Sequence, residues 1–276
     1  MSSTDANYLL HDQYKDASNL NARIQLHKRF SQNKDNWQRW VFDHIRAEAG
    51  SRSRMLELGS GPGQLWVNNL DRIPADWEVT LSDFSSGMVE EEKHHLGTLP
   101  HFSFQMIDIQ AIPYANESFD VVIANHMLYH VPDLTQALSE ISRVLKPGGY
   151  FYAATNGKNH MREADTLLQQ FIPAENRQDI DTHTNTSFRL EQGADLLTPY
   201  FANVTLQPFK DALLVTEAEP LLDYMLSAGP VKHLLTGERL AALREHIQRE
   251  IDTHGHLYIT KDTGLFEAAK LAQQGD

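Results

Sequence analysis

The stretch Met55-Leu56-Glu57-Leu58-Gly59-Ser60-Gly61-Pro62-Gly63 constrains the fold of this chain more than any other. A short apolar strand runs straight into three alternating glycines. Glycines allow positive φ and a close approach of the backbone to a ligand, and the helix that follows offers unpaired N–H groups at its start.

The same strand-then-polar pattern repeats downstream. Trp77 to Leu81 reads as a second strand ending at Ser82-Asp83, and Phe102 to Ile107 as a third ending at Asp108. Asp120 to Ala124 is a fourth, closed by Asn125, and its unbroken apolar run suits a strand buried on both faces of a parallel sheet. Asp133 and Gln136 predict a capping box for the next helix, in which Leu134, Ala137, Leu138, Ile141, Val144 and Leu145 form an apolar stripe. Lys146-Pro147-Gly148-Gly149 stops that helix before a fifth strand, Tyr150 to Thr155. Such alternation implies right-handed βαβ crossovers. The expected fold is α/β: a doubly wound, mostly parallel, seven-stranded Rossmann-like sheet with N-terminal helices and a helical cap.

On either side of this region the pattern is helical. Asn19 to Phe30 reads as a helix capped by Asn19, and Trp37, Trp40, Val41, His44 and Ile45 make one buried stripe of the next. Residues 159–174, Leu190 to Tyr200, Glu219 to Ser227 and Glu238 to Ile251 are expected helices, and Val204 to Phe209 a strand. His256 to Lys270 reads as a strand pair turning at Asp262-Thr263-Gly264. Residues 1–50 are therefore expected to be a helical lid. Residues 51–276 are the expected main domain, with cap insertions near 157–190 and 217–255.

Composition removes several function classes. With 24 Lys and Arg against 37 Asp and Glu, the formal charge is −13, which repels a polyphosphate backbone. No nucleic-acid partner is expected. No apolar run approaches the roughly 18 residues of a membrane span, and the first twenty residues lack an apolar block. The expectation is no membrane partner and a cytoplasmic location, with the oligomeric state left open. The chain has no cysteine, so disulfides, thiolate metal sites and a cysteine nucleophile are excluded. His94-His95 and His254-Gly255-His256 lack metal-ligand spacing, and no metal is expected.

The chemistry lies in the polar residues that close successive strands. Ligands of open α/β sheets bind outside the carboxyl ends of the strands, at the topological switch point. Asp83, about 20 residues past Gly63, can accept from both hydroxyls of a ribose. Asp108 is placed to accept from an adenine amino group. The GxGxG spacing differs from the GxGxxG dinucleotide fingerprint.

With MLELGSGPGQLW (55–66), VTLSDFSSGMV (79–89), MIDIQAIPYANESFDVVIANHMLYHVPD (106–133) and EISRVLKPGGYFYAATNG (140–157), the sequence resembles the class I S-adenosylmethionine-dependent methyltransferases. The likeness is to the branch of ubiquinone/menaquinone and other small-molecule enzymes. It implies S-adenosylmethionine as cofactor, with Gly59, Gly61 and Gly63 against the methionine portion and Glu57 supporting the turn. It implies ribose contacts from Asp83, adenosine flanked by Phe84 and Met88, and adenine held by Asp108 beside Ile109. Asn125 would face the methionine amino group through its backbone, and Tyr14 would close over the sulfonium.

Methyl transfer from an already activated donor chiefly requires in-line positioning of a small-molecule O, N or C acceptor. Where a proton must leave, histidine suits the work near neutral pH. His130, which the resemblance also places near the cofactor, is the candidate base, with His126 and Tyr129 behind it. Trp66 could line the acceptor pocket or belong to the core. The competing readings are a nucleotide-dependent oxidoreductase on a similar sheet and a non-catalytic S-adenosylmethionine-binding protein. No Asp/Asn-Pro-Pro-Tyr/Phe motif follows the fourth strand, which disfavours amino methylation of nucleic-acid bases.

Overall fold

The structure is a computed structural model that describes residues 18–177, 187–227 and 231–271. Its seven strands are β1 (Arg54–Leu58), β2 (Glu78–Asp83), β3 (Phe102–Met106), β4 (Phe119–Asn125), β5 (Leu145–Asn156), β6 (Ala202–Val215) and β7 (Leu257–Ala269). They form one sheet in the order β3-β2-β1-β4-β5-β7-β6. β1 to β5 pair in parallel, and β7 runs antiparallel to β5. The chain winds outward from β1 to β3 and then returns to β4 on the other side of β1. The carboxyl ends of β1 and β4 therefore flank the switch point, where connections leave in opposite directions.

The described helices are α1 (Ser18–Phe30), α2 (Trp37–Glu48), α3 (Gln64–Val67), α4 (Ser86–Leu96), α5 (Leu134–Val144), α6 (Arg162–Phe171), α7 (Leu190–Leu197), α8 (Ala218–Leu226), α9 (Val231–Leu234) and α10 (Gly237–His254). The chain divides into two compact units. One holds the described parts of 1–34, 157–186 and 210–262, and the other those of 35–156, 187–209 and 263–276. α2, expected in an N-terminal lid, thus belongs to the unit that carries β1 to β5.

That unit has an apolar layer on each face of the sheet, because side chains alternate along a strand. Leu56, Leu58, Val122, Ala124, Phe151 and Ala153 meet Ala137, Leu138 and Ile141 of α5 on one face. Met55, Val121, Ile123, Tyr152 and Ala154 share the other with Val41, Phe42 and Ile45 of α2 and with Trp66 and Trp77. Each fully buried Val, Leu, Ile, Phe or Met side chain among them contributes roughly 1.5–3 kcal/mol. In the unit of 1–34, 157–186 and 210–262, α1, α6, α8 and α10 surround Leu26, Phe30, Leu168, Leu221, Leu243, Ile247 and Ile259. There Lys261 pairs with Asp211 at 2.6 Å, both nearly sealed from solvent, and Asp211 also accepts from Ser31 and from the Asn33 N–H.

Several local expectations change. Asn19 lies inside α1, which begins at Ser18. Within α2, Phe42 is fully buried against Trp66 and Trp77 (centroids 6.1 and 5.7 Å), while Trp37, Trp40 and His44 are half-buried. Asp133 does cap α5, accepting from Gln136 N at 2.9 Å. The box stays open, however, because the Gln136 amide donates to Gln110 O instead. The C-terminal strand pair is one continuous strand. Thr263 and Gly264 sit opposite Asn156 and Thr155 in the β5–β7 ladder, so Asp262-Thr263-Gly264 is extended and makes no turn.

The glycine at 264 answers to packing: a Cβ there would stand 2.8 Å from the Gln207 carbonyl oxygen. Gly264→Ala is accordingly expected to lower the unfolding free energy by roughly 1–3 kcal/mol, as overpacking does. Urea titration checks this, and an unchanged midpoint would contradict the close approach of the backbones.

Candidate active site

The glycine turn closes β1 and is held from beneath by its neighbours. Gly59, Gly61 and Gly63 have φ of 65°, 58° and 75°, values at which a side chain is strained. At Gly59 a Cβ would also stand 2.8 Å from Met127. Ser60 N and Oγ both bond Ser82 O at 3.0 Å, which ties the turn to the end of β2.

Three carboxyl groups surround this turn. Glu57, expected to support it, is buried within β1 and accepts the Trp66 indole N–H at 2.6 Å. Burial pushes its pKa up to about 8, against the lowering pull of the indole, and Asp83 adds repulsion. Trp66 is fully buried and belongs to the core of this unit. Asp83 ends β2 and accepts from Gly61 N at 3.1 Å and Ser85 N at 2.8 Å. Burial raises its pKa, opposed by those backbone N–H groups. Glu92, which sequence reading passed over, is fully buried on α4 and bonded to Ser60 Oγ. Its pKa is likewise pushed up to about 8, by burial first. A signal for it existed: Met88, Glu92 and Leu96 lie at i, i+4 and i+8, so Glu92 occupies an apolar-stripe position.

The remaining expected cofactor residues line the ends of the next strands. Asp108 stands two residues past β3, which pairs Met106 with Asp83 of β2, so the two acids close adjacent strands. Asp108 is exposed and accepts from Gln110 N at 2.9 Å and from the Gln110 amide. Met88 and Ile109 are buried, whereas the Phe84 ring is 44% exposed. Asn125 ends β4, and its side chain is tied to α2: it accepts from Trp37 Nε1 and donates to Gln38 Oε1, both at 3.3 Å. Tyr14 lies outside the described residues.

The expected catalytic residues follow β4. His126 has φ of 58°, uncommon for a residue with a side chain, and its N–H is fixed by Ala154 O at 3.1 Å. Its ring packs 5.1 Å from Trp37, which also meets Trp40 and Phe209, each at 5.2 Å. Tyr129 and His130 share a 3₁₀ turn (Leu128–His130), with rings 4.6 Å apart. His95 is anchored at Pro62 O (3.1 Å) behind the glycine turn. Among the described residues, no three His, Cys, Asp or Glu cluster as a metal would need.

This donor set fits an adenosyl ligand. Carboxylates at two adjacent strand ends can accept from hydroxyl and amino groups, since each retains lone pairs beyond its backbone bonds. Apolar side chains stand beside them, and three glycines admit a close backbone approach.

A family model described as a methyltransferase domain matches residues 56–153. The chain is 29% identical over 138 residues to a demethylmenaquinone methyltransferase of Protochlamydia amoebophila, covering 49% of this chain and 54% of that protein. It is 31% identical over 116 residues to a ubiquinone/menaquinone biosynthesis C-methyltransferase of Xanthomonas oryzae, covering 41% and 45%. Residues 56–153 are thus a methyltransferase domain, similar in sequence to the ubiquinone/menaquinone-type enzymes. The chain spans about half the length of these curated relatives. The methyltransferase fold extends further: phosphoethanolamine N-methyltransferase 2 of Haemonchus contortus, solved with S-adenosylmethionine, superposes with a TM-score of 0.58 at 18% identity, covering 98% of this chain and 60% of that one.

The raised carboxyls of this methyltransferase domain fix the sign of a pH effect. Glu57 keeps its proton when folded up to about pH 8 and loses it when unfolded near 4.5. Its contribution to stability is complete below the lower value and declines as pH rises toward the upper one. Between those limits the slope is about 1.4 kcal/mol per pH unit for one such group. Glu57→Gln is expected to flatten the fall in unfolding free energy between pH 5 and 8. Parallel curves for wild type and variant, measured by denaturant unfolding, would contradict a protonated Glu57.

Proposed function

We propose that the protein transfers a methyl group from S-adenosylmethionine to a small-molecule acceptor. The supporting observation is the juxtaposition of Asp83 with the glycine turn, one strand from Asp108, within a domain of this family. In this reading Gly59, Gly61 and Gly63 pass beneath the methionine portion, and Glu57 stiffens the turn through Trp66. Asp83 accepts from the ribose hydroxyls, Asp108 from the adenine amino group, and Phe84, Met88 and Ile109 contact the adenosine. Asn125 presents its backbone to the methionine amino group, and Tyr14 closes over the sulfonium.

The bound cofactor supplies a methyl group already activated by positive sulfur. The chain's own task is positioning, which can lower a barrier by on the order of 7–11 kcal/mol. His130 accepts the acceptor's proton where one must leave, and His126 and Tyr129 orient the acceptor. The relatives' names favour a quinone-type ring as acceptor, and the aromatic group of Trp37, Trp40, Phe209 and His126 suits a flat apolar molecule. The charge of −13 argues against nucleic acid, and among the described residues no helix is long and apolar enough to cross a membrane.

Calorimetric titration with S-adenosylhomocysteine tests the cofactor half. Binding is expected to weaken roughly 10- to 150-fold in Asp83→Asn, the equivalent of one charge-assisted hydrogen bond of about 1.5–3 kcal/mol. Heat with NADH and none with S-adenosylhomocysteine would favour an oxidoreductase instead. For the chemical half, mass spectrometry with a demethylated quinol ring should detect gain of one methyl. His130→Gln is expected to reduce that rate by roughly 10²–10⁴-fold with cofactor affinity unchanged. An unaltered rate would remove His130 from the mechanism.

A further inference from the structure

The hydrogen inventory around Ser60 does not close if every carboxyl at the site is ionised. The Ser60 hydroxyl has one proton, yet its oxygen lies within bonding distance of two acceptors, the Ser82 carbonyl at 3.0 Å and Glu92 Oε1. A carboxylate at 92 would leave one of these contacts as oxygen facing oxygen. It would also leave charge on Oε2, a fully buried atom with no hydrogen-bond partner among the described residues. A protonated carboxyl resolves both difficulties: Glu92 donates to Ser60, and Ser60 donates to Ser82.

The surroundings agree. Glu57 faces Glu92 from β1 and Asp83 from β2, so two further carboxyls repel an added negative charge. On α4 itself Lys93 is the opposing positive charge, and it is paired with the exposed Glu90 at 2.7 Å. His95 of the same helix bonds Pro62 O, within the turn itself, at 3.1 Å. The Glu92 stem lies directly under the turn, with its Cγ 3.7 Å from where a Cβ on Gly63 would be.

We propose that Glu92 is a positioning residue for cofactor binding: as a neutral acid it donates to Ser60 and so sets the shape of the glycine turn that receives S-adenosylmethionine. This rests on the cofactor reading above. When the proton is lost the donor is lost with it, so Ser60 must choose between Ser82 and Glu92, and the turn relaxes. Cofactor affinity then falls on the alkaline side. Glutamine preserves the device without the proton, because its amide donates to Ser60 and cannot ionise. Leucine fills a similar volume and donates nothing.

The test uses the full chain and S-adenosylhomocysteine, whose lack of sulfonium charge removes the direct electrostatic effect of a nearby carboxylate. Dissociation constants are measured by calorimetry from pH 6.5 to 9.5 for wild type, Glu92→Gln and Glu92→Leu. Wild-type affinity should fall at least threefold more over this range than that of Glu92→Gln, with Glu57 titrating in both. At pH 6.5 Glu92→Gln should match wild type within twofold, whereas Glu92→Leu should bind at least tenfold more weakly. Superposable pH profiles, or equal weakening by Gln and Leu at pH 6.5, would overturn the proposal. Failure of the wild type to bind at any pH would overturn the cofactor reading instead, and this inference with it.

Thermal unfolding without ligand gives a second readout that does not depend on the cofactor. The melting temperature of Glu92→Gln relative to wild type should rise between pH 5 and 8, because only the wild type must retain a proton at position 92 in order to fold. A difference that stays constant with pH would show Glu92 ionised in the folded protein and overturn the proposal independently. Should Glu92→Leu fail to fold, the Gln comparison and this melting series still decide the question.

Discussion

Carboxyl groups buried beneath a glycine turn are the constraint on which the rest of this site depends. A turn with three residues at positive φ has little intrinsic preference for one shape, since glycine loses more conformational freedom on folding than any other residue. Its shape must be imposed from outside. Here the Gly61 N–H is held by Asp83, Ser60 by Ser82 and Glu92, and the preceding strand by the Glu57–Trp66 pair. These restraints carry a stability cost, because each buried acid must be desolvated. That cost is tolerated where the groups are oriented for a ligand, and the clustering of raised carboxyls at one strand end is the electrostatic mark of such a place.

The sheet makes this arrangement possible by supplying rigidity from both sides. β1 and β4 lie at its centre with apolar layers above and below, so their carboxyl ends are fixed by packing and not by the loops they bear. The register between β1, β2 and β3 then decides which polar residues emerge together. Leu58 pairs with Ser82, and Asp83 with Met106, which brings the glycine turn, Asp83 and the residues after β3 to the same edge. A slip of one residue in β2 would turn Asp83 to the other face of the sheet. Val79 and Leu81, set in one apolar layer, alternate with the polar Thr80 and Ser82, and that alternation forbids it.

How much of this was legible in the sequence follows from the range of the interactions. The strands and the turn were legible because their signals are local: Met55-Leu56-Glu57-Leu58 before glycines, and an unbroken run at Val121 to Ala124. Asp83 and Asp108 stand out in the sequence because topology places strand-end residues without knowledge of their partners. Glu92 was obscured by Glu90 and Glu91, since a run of three acids reads as a solvated face unless the stripe of Met88 and Leu96 is given priority. Gly264 reads as a turn residue in the sequence because its reason, the Gln207 carbonyl, lies on another strand. The tie of Trp37 and Gln38 to Asn125 was invisible for the same reason, as the partners are nearly ninety positions apart.

That division also explains why the cofactor side of such a protein is written plainly and the acceptor side is not. Binding an adenosyl group requires particular atoms at particular strand ends: a carboxyl for hydroxyls, glycine where the backbone must come close. Few residues can substitute, so the pattern survives in one sequence. Receiving a methyl group requires chiefly that the acceptor be flat against an apolar wall and in line with the donor, and many combinations of rings provide a wall. In the proposed reading Trp37, Trp40, Phe209 and His126 are such a combination, gathered from α2, β6 and the turn after β4. Nothing about any of them singly marks an acceptor site. The information lies in their convergence, which exists only once α2 has docked on the sheet through Val41, Phe42 and Ile45.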